Sequence, residues 1–162
     1  MIKFTAIAAL AAISLSAPAF AAGDIAAGEK IFGKCKTCHY ITGDDGTVIQ
    51  KGGKVGPNLY GVIGRPLASY PDFKYGDGIM AAGAKGLIWD EAMLAAYVVD
   101  PTKWLDENSG DPKAKSKMMF KLAKGGEDVA AYLASLKPVD AAAAAAPAAA
   151  APAADAPAAP AP

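Results

Sequence analysis

The stretch KCKTCHY, residues 34–40, holds both cysteines of the chain and its only histidine. On a helix, Cys35, Cys38 and His39 stand at i, i+3 and i+4, so two sulfurs and one imidazole share a face. Four chemistries could use that set. A structural zinc site needs four nitrogen or sulfur ligands, and the chain offers three. A thioredoxin-like dithiol expects a strand–helix–strand setting and has no use for the histidine. A plain disulfide across two residues closes a tight loop that stabilises little, and it leaves the histidine unexplained. Covalent attachment of a c-type haem uses all three groups: the cysteines form thioethers to the porphyrin and the imidazole lies under the iron. One haem c, attached through Cys35 and Cys38 and ligated by His39, is the expected cofactor.

A sixth iron ligand has to come from elsewhere. With no second histidine, it is Met, Lys, Tyr, water or nothing. Beyond Met1 the chain has Met80, Met93, Met118 and Met119. Met93 falls in a helical pattern, where methionine ordinarily fills core space. Met118 and Met119 lie in a lysine-rich loop, where an apolar pair is harder to explain as packing. Their side chains cannot easily both point at one metal, and the residues alone leave the two open.

The elements that must carry these groups are helical and short. Asp24 can cap a helix running through Ile25, Ile31 and Phe32 into the cysteine pair. Asp90 can cap Glu91 to Val99, with Leu94, Tyr97 and Val98 as its apolar stripe and Pro101 as its end. Val129, Tyr132, Leu133 and Leu136, at i, i+3, i+4 and i+7, predict a helix over 127–136. Glycine-rich loops lie between them: Thr42 to Gly64 alone has seven glycines and one proline. No strand pattern of useful length and no repeat appears. These stripes offer little core for a domain of this size. A buried flat macrocycle would supply it.

Both ends of the chain read as something other than the fold. Met1 to Ala21 has one positive charge, a largely apolar run from Phe4 to Leu15 and the small-x-small triplet Ala19-Phe20-Ala21. That pattern predicts an export signal cleaved near Ala21, which places the mature protein in a compartment where thiols oxidise, the periplasm if the source is a bacterium. Asp140 to Pro162 has 16 Ala, 5 Pro and 2 Asp, with no side chain that could build a core, and predicts a disordered tail. Residues 22–139 remain as one domain. Sixteen basic and sixteen acidic residues balance over the whole chain, so there is no basic surplus of the kind nucleic-acid binders carry. The distribution is uneven, though: Lys113, Lys115, Lys117, Lys121 and Lys124 occur in a stretch without an acid. Such a face can steer an acidic partner.

The sequence resembles the class I c-type cytochromes, in particular the larger bacterial members of the cytochrome c2 family, over 23–136. GEKIFGKCKTCH is similar to the family's N-terminal helix and haem-attachment motif, and EDVAAYLAS to the C-terminal helix that crosses it at a small residue, Gly28. GPNLYGVIGR resembles the loop in which Pro57 accepts a hydrogen bond from the ligating histidine and Arg65 lies near a haem propionate. FKYGDG and LIWD put Tyr75 and Trp89 at propionate-bonding positions. YVVDP puts Tyr97 beside the sulfur ligand, and SKMMFKLAKGG puts Met118, not Met119, at the ligand position. The segments 42–54 and 105–115 are longer than in the shortest relatives, and the Ala/Pro tail lies outside the resemblance.

The resemblance implies an all-α fold in which N- and C-terminal helices cross and further short helices and Gly/Pro loops wrap one covalent haem. It implies a monomeric one-electron carrier, not an enzyme, that takes electrons from a cytochrome bc1-type complex and gives them to an oxidase or a photosynthetic reaction centre. The competing reading is a haem enzyme or a gas- or peroxide-binding sensor, which needs a displaceable sixth ligand.

Overall fold

The structure is a computed structural model that describes residues 23–137. The expected export signal and the Ala/Pro tail lie outside the described residues. Helix α1, Ile25–Phe32, starts where the Asp24 carboxylate accepts the Ala27 N–H at 2.9 Å, as the capping pattern predicts. It stops short of the cysteines. A run of tight turns continues the chain, with Cys35 N–H bonding Phe32 C=O and His39 N–H bonding Cys35 C=O at 2.9 Å. That i, i+4 bond preserves the helical relation between Cys35 and His39 without a regular helix.

Four more helices follow: α2 (Asp77–Gly83), α3 (Glu91–Val99), α4 (Pro101–Asn108) and α5 (Gly126–Leu136). Asp90 caps α3 through Met93 N–H at 2.6 Å, and α5 matches the predicted apolar stripe. The sequence predicts three helices and no strand; the structure has α2 and α4 besides, and a small antiparallel pair. In that pair β1 (Ile41–Thr42) faces β2 (Val48–Gln50), with Ile41 opposite Gln50. Pro101 both ends α3 and opens α4. Its ring cannot continue the first helix but suits the first turn of the next, which Asp100 caps through Lys103 N–H.

The first and last helices cross against each other. A Cβ on Gly28 would collide with the Asp128 carbonyl and stand 2.8 Å from Tyr132 Cβ, so only glycine permits this approach. Phe32 and Tyr132 pack at 5.8 Å between centroids, and Asp24 N–H donates to the Asp128 carboxylate at 2.8 Å. Phe32, Ile41, Leu105 and Leu133 are the largest fully buried apolar side chains. Beside them Trp89, Tyr97 and Trp104 form a buried aromatic triangle with centroid separations of 5.1–5.7 Å. Among the described residues no helix is long and apolar enough to cross a membrane.

Candidate haem-binding site

The residues that could ligate a metal are positioned by two loops of different construction. The first, residues 51–57, lies against the CKTCH turns. Gly53 N–H bonds Lys36 C=O and Gly56 N–H bonds Cys38 C=O, both at 2.8 Å. A Cβ on Gly56 would run into the His39 ring, and one on Gly53 into the Thr37 carbonyl. The loop therefore touches the histidine with bare backbone.

His39 Nδ1 lies 2.9 Å from the Pro57 carbonyl oxygen. A carbonyl can only accept, so Nδ1 carries the proton. Burial pushes the imidazole below its ordinary pKa, against the opposing pull of that hydrogen bond, and favours the neutral form. In the neutral ring Nε2 then holds the free lone pair, which is the state a metal requires. The Pro57 carbonyl thus fixes the tautomer of His39. Cys35 and Cys38 are free, half-buried thiols, and Cys35 packs on the apolar core. Burial, and after it the neighbouring Cys38, pushes the Cys35 thiol up.

Asn58, buried beside Pro57, ties this loop to the hairpin: it accepts from Thr42 N–H and donates to Thr42 C=O. Its own carbonyl and that of Tyr60 accept from the Arg65 guanidinium, which also lies 5.1 Å over the Tyr70 ring. Among the described residues Arg65 has no carboxylate partner, so its charge is held by dipoles alone. Tyr75 and Trp89 converge on the same region. The Tyr75 hydroxyl accepts from Tyr70 N–H at 3.2 Å, which leaves its own O–H to donate elsewhere. Trp89 is backbone-paired to 64–65, with Trp89 N–H bonding Arg65 C=O at 3.0 Å.

The second loop, residues 113–124, carries the methionines. Met119 is 83% exposed, whereas Met118 is half-buried and packs on the core. Met118 N–H donates to Ser116 Oγ at 3.0 Å, and that hydroxyl lies 3.3 Å from the Tyr97 hydroxyl. Tyr97 thereby meets the segment carrying Met118. The lysines are unequal. Lys117 Nζ donates to the carbonyls of Lys74 and Tyr75, and Lys121 pairs with Asp100 at 2.6 Å. Lys113 and Lys115 border an open cleft of about 300 Å³ together with Asp77 and Asp111.

Sequence reasoning missed Tyr70, Trp104, Ser116 and the tie made by Lys117. Trp104 had a signal, since a Pro-x-x-Trp run after a capping Asp is a helix start with an inward aromatic. The others are set by tertiary approach and had none. The residues fit a covalent haem: a histidine with its outer nitrogen free, two unpaired thiols beside it, a half-buried thioether and an unneutralised guanidinium.

No protein-family profile matches the chain. It is 62% identical over 129 residues to a cytochrome c2 of Rhodobacter capsulatus, covering 80% of this chain and 93% of that protein. It is 55% identical over 148 residues to a cytochrome c-550 of Paracoccus versutus, covering 90% and 96%. The fold superposes on the crystal structure of the Rhodobacter capsulatus cytochrome c2 with a TM-score of 0.69 at 63% identity, covering 70% of this chain and 97% of that one. For the Paracoccus denitrificans cytochrome c2 the TM-score is 0.70 at 54% identity, covering 72% and 98%. With site geometry, fold and sequence in agreement, the chain belongs to the cytochrome c2 and c-550 family.

Proposed function

We propose that this chain carries single electrons in the periplasm, taking them from a cytochrome bc1-type complex and passing them to an oxidase or photosynthetic reaction centre. The observation that carries the reading is the His39–Pro57 hydrogen bond, which prepares Nε2 as a ligand beside two free cysteines. Haem c, when bound, supplies an iron that alternates between the ferrous and ferric states. Cys35 and Cys38 would hold it by thioethers. His39, with a ring that Pro57 orients and makes more basic, and Met118 would be its protein ligands. The Met118 sulfur would favour the ferrous state and raise the potential, and the surrounding apolar core would penalise the extra ferric charge. Arg65, with Tyr75 and Trp89, is the group of donors for the haem carboxylates. With His39 and Met118 both committed to holding the haem, neither would be free to act on a substrate, which supports a carrier rather than a catalyst.

Lys113, Lys115 and Lys124 are exposed and have no ion-pair partner among the described residues. They are the charges of this loop best suited to steer an acidic redox partner. Lys121 and Lys117 are already engaged within the fold. The expected export signal, cleaved near Ala21, accounts for the compartment.

Replacing each methionine of the pair tests the ligand. Met118→Leu keeps volume and apolarity and costs under about 1.5 kcal/mol in packing. It removes the sulfur, so the potential should fall substantially and the ferric band near 695 nm should vanish. Met119→Leu, at an exposed position, should change neither. The reverse pattern would overturn the assignment.

A further inference from the structure

Between Ala114 and Leu122 no backbone N–H bonds a backbone carbonyl among the described residues; the flanking bonds are Ala114 N–H to Asp111 C=O and Leu122 N–H to Val98 C=O. A segment without a backbone ladder has to be held by side chains or it opens locally. On the C-terminal side of Met118 the hold is Lys121 on Asp100, at the α3–α4 junction. On the N-terminal side there are two holds: the buried Ser116 hydroxyl against the Tyr97 hydroxyl at 3.3 Å, and Lys117, whose ammonium donates to two carbonyls at once, Lys74 at 3.2 Å and Tyr75 at 3.0 Å.

Those carbonyls belong to the same short segment as the Tyr75 side chain. The tie therefore joins the residue next to Met118 to the strip that presents Tyr75. The lysine stem is also guided: a Cβ on Gly76, which is buried, would stand 3.1 Å from Lys117 Cγ and 3.5 Å from Cδ. A fully solvated surface lysine would have neither two carbonyl acceptors nor a glycine making room for its stem.

We infer that Lys117 is a positioning residue: its ammonium straps the 113–124 loop to the 74–76 segment and so keeps the Met118 sulfur from being displaced. The inference rests on Met118 as the distal ligand. It separates Lys117 from the docking charges, because the strap acts in the isolated protein with no partner present. Charge-assisted hydrogen bonds to carbonyls are the stronger kind, and solvent screening at this exposed position moderates them.

The probe is imidazole, added to the ferric haem-loaded protein at neutral pH and followed by loss of the 695 nm band. Lys117→Met keeps the apolar stem and removes every donor. It should raise the affinity for imidazole about tenfold, equivalent to about 1.4 kcal/mol. Lys117→Arg, which can still reach a carbonyl with a charged donor, should restore most of the original resistance. Gly76→Ala should shift affinity in the same direction as Lys117→Met but less, since φ −88° and ψ 159° suit alanine and only the lysine stem is disturbed. Lys113→Met, which removes the same charge with no strap, should leave the affinity unchanged.

The inference is overturned if Lys117→Met changes the affinity less than twofold, or if Lys113→Met changes it equally. Met118→Leu in parallel separates the two levels. If it binds imidazole no better than the parent, the ligand assignment fails and the strap with it. If it binds far more tightly while Lys117→Met does not, the strap alone is wrong.

Discussion

The two loops that flank the proposed haem are built on opposite plans. Residues 51–57 meet His39 through backbone: two main-chain hydrogen bonds, a carbonyl on the imidazole and glycines with no space for a Cβ. Residues 113–124 hold Met118 through side chains: a serine–tyrosine hydrogen bond, a lysine on two carbonyls and an exposed ion pair. Backbone contacts of the first kind have no alternative rotamer, so the histidine side is fixed once the chain folds. The methionine side rests on side chains, two of them long exposed lysines that can each let go alone. One proposed ligand is locked and the other is retained.

The largest effect should come from attacking the locked side. Gly56→Ala places a methyl inside the His39 ring and cannot be accommodated by a rotamer change. We expect a loss at or above the roughly 3 kcal/mol upper range for overpacking, with a poor yield of haem-loaded protein. Denaturant unfolding and the visible spectrum would check it, and a near-normal midpoint would remove the basis for calling this side rigid.

A smaller effect, and one confined to partner encounter, should follow from the free lysines of the retained side. Lys113→Glu, Lys115→Glu and Lys124→Glu together should slow electron transfer with a bc1-type complex by about tenfold at low ionic strength, and less as salt rises. The potential should not move. A rate insensitive to these reversals would separate the lysine-rich loop from docking.

The smallest concerns acid. The hydrogen bond from Lys121, and then that from Lys103 N–H, holds the Asp100 carboxyl below the ordinary carboxylate range. A depressed folded pKa means that the contribution is complete above the ordinary value of about 3.9 and is lost as pH falls through the lower folded one. Asp100→Asn should therefore matter slightly at neutral pH and not at all at the acid end. Unfolding midpoints of the two proteins should converge as pH drops; a gap that persists in acid would mean that the charge of Asp100 is not what it contributes, since asparagine caps a helix as well as aspartate.

How much of this was legible in the residues differs between the same two sides. Cys35, Cys38 and His39 announce themselves by type and spacing, and Asp24 and Asp90 cap the helices they predict. Family likeness selects Met118 over Met119, and the side chains' unequal exposure agrees with it. Helix α2 was hidden because it is seven residues long, starts at a glycine with no capping side chain and ends at another glycine. Helix α4 is hidden because in the sequence Pro101 reads as a terminator of α3, while the same residue opens α4. The hairpin has five strand residues in all, of which four are paired, too few for an alternating pattern. In the sequence Lys117 is one charge among five, since nothing local to KSKMMF tells which lysine finds two carbonyls some forty positions upstream.

The crossing of α1 and α5 also sets an order of events in biogenesis. Asp24 and Asp128, which meet across it, are 104 positions apart. The entropy of closing so long a loop has to be met before the contact returns anything. If the chain is exported as proposed, α1 and the two thiols that follow it would emerge well before α5, their packing partner. Until α5 arrives the CKTCH turns would lack that cover, and the same sequence separation that delays folding would keep Cys35 and Cys38 within reach of a haem.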